Sequence, residues 1–179
     1  MTLLHSSDWH LGKSLFQKSL LADQEAALED FRRLVETEKP HAVLLAGDLY
    51  DRSVPPEDAV KLLDRFLSEV VLTMKVPVIM IPGNHDSSTR VGMGAPLLRA
   101  AGLHVFSTPE SVTEPVRIEA GGVKTAIYAI PYLEPSEWAF FLSKPLRTHA
   151  DALSAILEHL KPQLENDRKE GRRTVLILH

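Results

Sequence analysis

The chain has 179 residues, of which 44 % are hydrophobic, and a net charge of −4 at pH 7. This length and apolar content suffice for a buried core, whereas the acidic balance argues against a generally basic nucleic-acid binder. The absence of cysteine excludes disulfides and thiolate metal sites, and no apolar run or leader predicts a membrane span or signal peptide. We therefore expect a cytoplasmic protein, although zero cysteines also fit a thermophile or an export route without a recognisable leader.

The N-terminal part of the sequence predicts a strand, a loop and a helix. An apolar pair leads into Ser7-Asp8-Trp9-His10, which indicates a strand that ends at polar side chains. Lys13 to Ser19 follows as a polar loop, and its composition is typical of a solvated connector. Apolar residues from Ala27 to Val35 recur at helical spacing, with Asp23 as the expected cap and Lys39-Pro40 as the stop. This helix is expected to complete a right-handed βαβ unit.

The segment from Val43 to Arg52 predicts the central strand of the fold. Four apolar residues run into Gly47-Asp48, as expected for a short, fully buried strand of a parallel sheet. In open α/β sheets, ligands bind beyond the carboxyl ends of the strands. Asp48 is therefore placed where a metal or another ligand would bind.

Two further apolar segments end in the same way. Val76 to Ile81 leads into Gly83-Asn84-His85-Asp86, and Thr174 to Leu178 stops on His179. Together with the first two, four buried strands each deliver Asp, Asn or His at one end, so we expect these residues to converge on one site. Oxygen and imidazole ligands without thiolate suit Mn²⁺, Fe²⁺, Zn²⁺ or Mg²⁺.

The middle of the chain predicts a second helix and further strands. Pro55 to Asp58 is typical of a helix start, because proline and acidic residues suit the first turn. The wide apolar stripe from Ala59 to Val70 is expected to pack in the core, with an oligomer contact as the less favoured alternative. Leu103 to Ile130 contains three short strands, the last two joined by a hairpin turn at Gly121-Gly122.

The last third of the chain predicts a loop and a long helix. Pro131 to Leu146 is expected to be an irregular loop whose aromatic residues, including Trp138, fill a small core; a DNA or partner surface is the alternative. Thr148 is the expected cap of the helix, and Pro162 is expected to kink it. Asn166 to Arg173 is predicted to be a charged turn.

Three motifs stand in order along the chain: Asp8-Trp9-His10, Gly47 to Asp51, and Gly83 to Asp86. This order resembles that of the calcineurin-like metallophosphoesterases, in which a further His and a Gly-His-x-His motif follow. Within that group, Leu4 to Lys13 is most similar to the SbcD family, the nuclease subunits of bacterial SbcCD complexes that process DNA ends. The chain stops before any Gly-His-x-His, so we expect residues 1–179 to form one nuclease domain that is incomplete at its C-terminus.

The resemblance implies an α/β fold, a sandwich of two β-sheets flanked by α-helices, and two divalent metal ions, expected to be Mn²⁺. In the family, residues matching Asp8 and His10 hold one metal, residues matching Asn84 and His179 hold the other, and Asp48 matches the bridging ligand. Each metal would gain one more His from Gly-His-x-His. We therefore expect the 179-residue chain to be at most a partial enzyme.

The resemblance also implies catalytic roles. His85 matches the acid that protonates the leaving oxygen, and the nearby Asp51 carboxylate is expected to orient it. Gly47-Asp48-x-x-Asp51-Arg52 is similar to the phosphoprotein phosphatase signature, which makes Arg52 a candidate phosphate ligand, with a surface salt bridge as the alternative. Arg90 is a second candidate contact to the DNA backbone.

The implied function is metal-dependent exo- or endonuclease activity in DNA end processing, repair and recombination. The implied partners are DNA, an SbcC-like ATPase subunit and a second copy of the chain, bound through the second helix and the segment near Pro96 to Ala101; no membrane is expected. The alternatives are a phosphatase or cyclic-nucleotide phosphodiesterase with the same site, or a non-catalytic dimerising fragment. Metal content per chain and cleavage of small phosphomonoesters would separate these.

Overall fold

The computed structural model describes residues 1–132 and 134–179. The strands are β1 (Leu3–Ser6), β2 (Ser14–Leu15), β3 (Lys18–Ser19), β4 (Ala42–Ala46), β5 (Val78–Ile81), β6 (Leu103–Val105), β7 (Val116–Ala120), β8 (Val123–Ile130) and β9 (Arg173–Leu178). The α-helices are α1 (Leu21–Glu38), α2 (Glu57–Ser68), α3 (Ser88–Val91), α4 (Ala95–Arg99), α5 (Pro135–Leu142) and α6 (His149–Lys169). A π-helical turn (Glu69–Thr73) extends α2, and a 3₁₀ turn (Pro109–Thr113) precedes β7.

The main elements form four layers. A parallel sheet of order β1-β4-β5-β6 faces a second sheet of order β7-β8-β9. Side chains alternate along β4, so that Val43 and Leu45 pack towards α1 and α2 while Leu44 packs between the sheets. Ile127 of β8 lies in the core between the sheets, and Tyr128 lies in the core beneath α5 and α6. The predicted α/β sandwich of two sheets flanked by helices is confirmed.

The parallel register of the first sheet places three loops at one edge. β1 pairs with β4 up to Ser6 and Leu45, and β4 pairs with β5 up to Ala46 and Ile81. The loops that carry Asp8, Asp48 and Asn84 therefore leave the sheet side by side. Every residue of β4 is buried, as predicted for the central strand.

The last strand differs from its prediction. β9 pairs in parallel with β8, up to Ile130 and Leu178, and it lies at the edge of the second sheet rather than in the first. Only Ile177 of β9 is buried, so the prediction of a fourth buried strand is wrong. The sheets pack face to face, however, and β9 still ends at the edge where the three loops meet.

Two predicted loops contain regular structure. Lys13 to Ser19 contains the antiparallel pair β2–β3. Pro135–Leu142 is α5 rather than irregular loop, with Pro135 in its first turn, where the missing N–H costs nothing. Trp138 on α5 is 1 % exposed and packs in the outer core with the partly buried Phe141, as predicted for a small aromatic core, whereas Phe140 is exposed and takes no part in it. Leu133, within the predicted loop, lies outside the described residues.

The predicted helix ends are partly correct. The helix α1 ends before Lys39-Pro40 as expected, with Lys39 in the left-handed conformation, whereas Leu20, not Asp23, occupies the N-cap position. Thr148 caps α6 in a reciprocal capping box. This helix continues through Pro162 to Lys169, so the predicted charged turn from 166 to 173 is wrong over its first half.

The described helices give no candidate for a membrane span, because none joins sufficient length to sufficient apolar character.

Candidate metal centre

The centre is built on two loops whose backbones bond to each other. Asp8 N donates to Gly47 O (3.1 Å), and His10 N donates to Asp48 O (2.9 Å). Asp8, His10 and Asp48 all have positive φ, at 58°, 46° and 50°. Non-glycine residues adopt this region uncommonly, with Asp and His among the more tolerant. Both loops are therefore held in an unusual shape that brings their side chains to the same point.

Asp48 lies at the middle of the centre and is only 3 % exposed. Its Oδ2 is 3.5 Å from His10 Nε2 on one side and 3.5 Å from His179 Nε2 on the other. Its Oδ1 accepts a hydrogen bond from the backbone N of His85 (2.9 Å). One carboxylate therefore contacts three different loops of the site.

Asp8, His10 and Asp48 form the first group that could hold a cation. His10 Nε2 lies 3.8 Å from Asp8 Oδ1 and 3.5 Å from Asp48 Oδ2, too far for hydrogen bonds. Two atoms that each bind one cation at about 2.1 Å can lie up to about 4.2 Å apart, so these separations fit shared ligation. His10 Nδ1 lies on the other side of the ring, 3.7 Å from Asp51 Oδ1, which leaves Nε2 directed at the two carboxylates. These residues fit a divalent cation.

His179, Asn84 and Asp48 form the second group. His179 Nε2 is 3.1 Å from Asn84 Oδ1. His179 Nδ1 lies 2.8 Å from Ala46 O, and since a carbonyl can only accept, Nδ1 carries the proton and Nε2 keeps its lone pair. The ring packs directly on Gly47, where a Cβ atom would collide with the imidazole. This group offers one imidazole nitrogen, one amide oxygen and one carboxylate oxygen to a cation.

His85 is held differently from its expected arrangement. Its Nδ1 donates to the backbone O of Asp51 (2.9 Å), whereas the Asp51 carboxylate lies 3.7 Å from His10 Nδ1 and 3.9 Å from Lys13 Nζ. The main chain of Asp51, not its carboxylate, therefore orients His85. The Asp51 carbonyl, followed by the Asp48 carboxylate, raises the pKa of His85 above its usual value of 6.5. An exposed imidazole whose pKa is raised keeps its proton to higher pH and can act as an acid.

Residues 1–138 match the family described as calcineurin-like phosphoesterase. The chain belongs to this family. It is 35 % identical over 169 residues to the SbcD subunit of the SbcCD nuclease from Staphylococcus epidermidis, and 34 % identical to the same subunit from Staphylococcus saprophyticus. These alignments cover 94 % of this chain but only 44 % of each relative. Calcineurin-like phosphoesterases bind divalent metals, in agreement with the group formed by Asp8, His10 and Asp48.

Two arginines singled out in this phosphoesterase sequence stand outside the ligand cluster. Arg52 and Arg90 are both exposed, and in the described ranges no ion pair or hydrogen bond joins either guanidinium to the cluster. Arg90 lies on α3, where its backbone N donates to the Ser87 side chain. Their predicted contacts to phosphate remain predictions.

Asp86 is a supporting residue that the motif contained but to which sequence reasoning gave no role. Its buried carboxylate accepts backbone N–H bonds from Leu49 (3.0 Å), Tyr50 (2.9 Å) and Gly83 (2.9 Å). Burial raises the pKa of Asp86, and the three N–H donors oppose that rise. Asp86 thereby ties the Asp48 loop of the phosphoesterase centre to the Asn84 loop. The final Asp of Gly-Asn-His-Asp was the available signal.

Gln24, on α1, supports the first loop of the centre and was missed completely. Its Nε2 donates to the carbonyls of His10 (2.7 Å) and Trp9 (3.1 Å), and its Oε1 accepts from Gly12 N (3.0 Å). The loop that carries Asp8 and His10 is thus held from the helix side. A single Gln in an amphipathic helix gives no local signal of this role.

Proposed function

We propose that this chain is the metal-binding part of a DNA nuclease that hydrolyses phosphodiesters as the SbcD-like subunit of an SbcCD-type complex. The observation that carries the proposal is the position of Asp48 Oδ2, 3.5 Å from His10 Nε2 and 3.5 Å from His179 Nε2. One oxygen between two imidazoles suits two neighbouring cations that share a carboxylate. Similarity to an SbcD subunit of the SbcCD nuclease over 94 % of this chain supports the choice of substrate class.

We assign the first cation to Asp8, His10 and Asp48, and the second to Asp48, Asn84 and His179. Mn²⁺ is the proposed metal because the ligands are carboxylate, amide and imidazole without thiolate. Bound divalent cations would polarise a phosphoryl oxygen and lower the pKa of a water molecule. The protein's own task is to fix the ligand atoms, which the Asp86 and Gln24 hydrogen bonds do.

His85 is the proposed general acid. Its Nδ1–H is committed to the Asp51 carbonyl, so Nε2 is the atom that can deliver a proton to the leaving oxygen. The Asp51 carbonyl raises the pKa of His85, which extends the protonated form of the ring to higher pH. In this proposal Asp51 acts through its main chain on His85 and through its carboxylate on His10 and Lys13.

The proposed partners are DNA, an SbcC-like ATPase subunit and a second copy of the chain. The chain spans 44 % of the length of the curated relatives, so the activity of a whole SbcD-like protein is part of this proposal. A DNA substrate and an SbcC-like partner would place it in the cytoplasm. Arg52 and Arg90, both exposed, are the proposed contacts to DNA phosphates.

An apolar surface supports the proposed dimer. α2 and the segment with α3 and α4 border a cavity of about 470 Å³ with predominantly apolar walls. Apolar side chains at or beside its rim remain well exposed, among them Val54, Val60, Leu72, Met93 and Leu97. Exposed apolar groups of this extent are typical of interaction sites. Sedimentation of the protein with and without Leu97→Asp tests the dimer: a shift to monomer supports it.

Hydrolysis with Mn²⁺ tests the proposed activity, on this chain and on a chain continued through the family's Gly-His-x-His. The substrates are DNA, a chromogenic phosphodiester and the matching phosphomonoester. We expect DNA and the diester to be cleaved, and His85→Ala to lower turnover by about 10²–10⁴-fold, the usual contribution of a general acid, with metal affinity unchanged.

His159→Ala is the matched control, because His159 is exposed on α6, in the outer layer. Cleavage of the phosphomonoester but not of DNA would identify a phosphatase instead. Loss of metal in His85→Ala would show that the roles of Asn84 and His85 are exchanged. Failure of the continued chain to hydrolyse any substrate would overturn the proposal.

A further inference from the structure

The hairpin formed by β2 and β3 stands out from the body of the protein. Every residue from Lys13 to Ser19 is exposed, and Phe16 at the tip is 95 % exposed. The pairing of Leu15 with Lys18 leaves Phe16 and Gln17 as the two residues of the turn. Sequence reasoning treated this segment as a solvated connector, which does not explain an aromatic ring held in solvent.

The turn is conformationally costly for the residues that occupy it. Phe16 has a φ of 49° and Gln17 a φ of 64°. Two-residue hairpin turns with positive φ at both positions favour Asn-Gly or Gly-Gly, and a bulky residue there is an outlier. Unfavourable backbone conformations concentrate at functional positions. The turn therefore holds Phe16 in solvent in an unfavourable backbone conformation, and the almost fully exposed ring has little packing that would offset this conformational energy.

The base of the hairpin is joined to the metal centre. Lys13 N donates to His10 O (3.1 Å), and Leu20 N donates to Lys13 O (3.0 Å), which closes the hairpin. Lys13 Nζ lies 3.9 Å from Asp51 Oδ1, within the group around His85. Two residues, Ser14 and Leu15, separate Lys13 from Phe16, so three extended steps along the chain reach about 10 Å. Phe16 therefore lies no more than about 10 Å from Lys13, whose ammonium group reaches Asp51 at the edge of the centre.

The chemistry of the hairpin favours nucleic acid over protein. The exposed residues Lys13 and Lys18 stand on either side of Phe16 along the chain, and Ser14, Gln17 and Ser19 are polar. Proteins bind single-stranded nucleic acids by placing positive charges along the phosphate backbone and aromatic side chains against the bases. A protein-docking surface would need a broader apolar patch than one ring and the half-exposed Leu15.

We propose that Phe16 stacks on an unpaired base next to the phosphodiester held at the metal centre, so that single-stranded or frayed ends are the preferred substrates. This inference rests on the proposed nuclease function and narrows its substrate class. A base within an intact duplex is already stacked on both sides, so the ring gains a contact only where a base is free.

Fluorescence anisotropy with a cleavage-resistant phosphorothioate single strand, in Mn²⁺, tests the inference. Phe16→Ala should weaken binding about 5- to 100-fold, and Phe16→Trp should keep it, since base–aromatic stacking is sequence-tolerant. Phe140→Ala is the matched control, because Phe140 is also highly exposed, at 89 %, and lies on α5 in the outer layer. The single strand should also quench the emission of the indole ring that Phe16→Trp introduces.

Two substrate controls define the contact. Replacing the bases by abasic nucleotides should weaken wild-type binding as much as Phe16→Ala does, and should not weaken the variant further. A blunt duplex should bind wild type and Phe16→Ala alike.

Equal binding of the single strand by wild type and Phe16→Ala would overturn the inference and leave the proposed function intact. The inference would also be overturned if Phe16→Ala lost only the binding of an SbcC-like protein, because the hairpin would then be a contact to protein. If wild type hydrolyses the chromogenic diester but binds no single strand, the inference alone is wrong. If it neither hydrolyses nor binds, the proposed function fails as well.

Discussion

The two halves of the proposed metal centre are fixed in different ways. Asp8, His10 and Asp48 come from neighbouring strands of one sheet, and their loops are joined by backbone hydrogen bonds. His179 comes from the other sheet, and its position depends on the packing of Ile177 between the sheets and on one bond to Ala46. The geometry of the first half is therefore set by two neighbouring strands and their loops, whereas that of the second half depends on how the two sheets pack.

Asp48→Asn should have the largest effect, because it changes the residue shared by both halves. We expect the affinity for both Mn²⁺ ions to fall by more than about 100-fold, since even residues that only support a ligand contribute about 10–100-fold. Asp8→Asn, measured in the same calorimetric titration, should affect mainly one ion. Equal losses in the two variants would contradict the shared role of Asp48.

Asp86→Ala should lower the free energy of unfolding and disturb both halves. It removes the acceptor of three backbone N–H groups, and each buried donor left unpaired costs about 1–3 kcal/mol. Urea denaturation of the metal-free protein should show a loss of about 3 kcal/mol or more. Asp30→Ala, at an exposed position of α1, is the control and should change the free energy of unfolding little. Similar losses in the two variants would show that Asp86 does not stabilise the two loops.

Gln24→Ala should affect metal binding in the first half of the centre and not in the second. The loop that carries Asp8 and His10 loses three hydrogen bonds, so the first Mn²⁺ should bind about 10–100-fold more weakly while the second changes little. Glu25→Ala, which removes only an exposed ion pair with Arg65, is the control in the same titration. A Gln24→Ala variant with both affinities unchanged would show that the backbone bonds to the Asp48 loop suffice.

Tyr128→Phe should have the smallest effect on metal binding. Tyr128 Oη donates to Asp167 Oδ2 (2.5 Å) beneath α6, and this hydrogen bond to a buried charged group contributes about 1.5–3 kcal/mol to the free energy of unfolding. Arg117 and Arg172 still contact Asp167 in the variant, so β9 should keep its register. We expect a lower thermal midpoint with near-normal Mn²⁺ affinity; loss of the second ion would mean that this cluster positions His179.

Local sequence patterns predicted the parts of the site that are themselves local. Apolar runs and turn residues were enough to predict the buried strand β4, the Gly-Asp turn after it and the Gly-Asn-His-Asp segment. The structure brings Asp8, His10, Asp48, Asn84 and His179 together, as their strand-end positions led us to expect.

What the sequence could not predict depends on contacts between distant residues. Gln24 and Asp86 act on backbone groups of other elements. The helical period around Gln24 and the motif that contains Asp86 do not reveal these distant partners. The sequence of the last turns of α6 is rich in charged residues and was therefore predicted to be a turn. The residues are helical in the structure, where Asp167 is buried and bonded to Tyr128 of the second sheet, a contact that local sequence does not show. Asp51 was predicted to use its carboxylate on His85, but the turn directs its carbonyl there instead.

The bond between His179 and Ala46 makes the second sheet a participant in ligand binding. A cation held by His179 and Asp48 would join the last strand of one sheet to the central loop of the other, and binding energy would then oppose separation of the sheets. Amide exchange in β8 and β9 would become slower on addition of Mn²⁺, although no cation touches either strand. The protection of β8 and β9 amides against exchange would thus report how much of the second cation site, at the end of β9, is occupied.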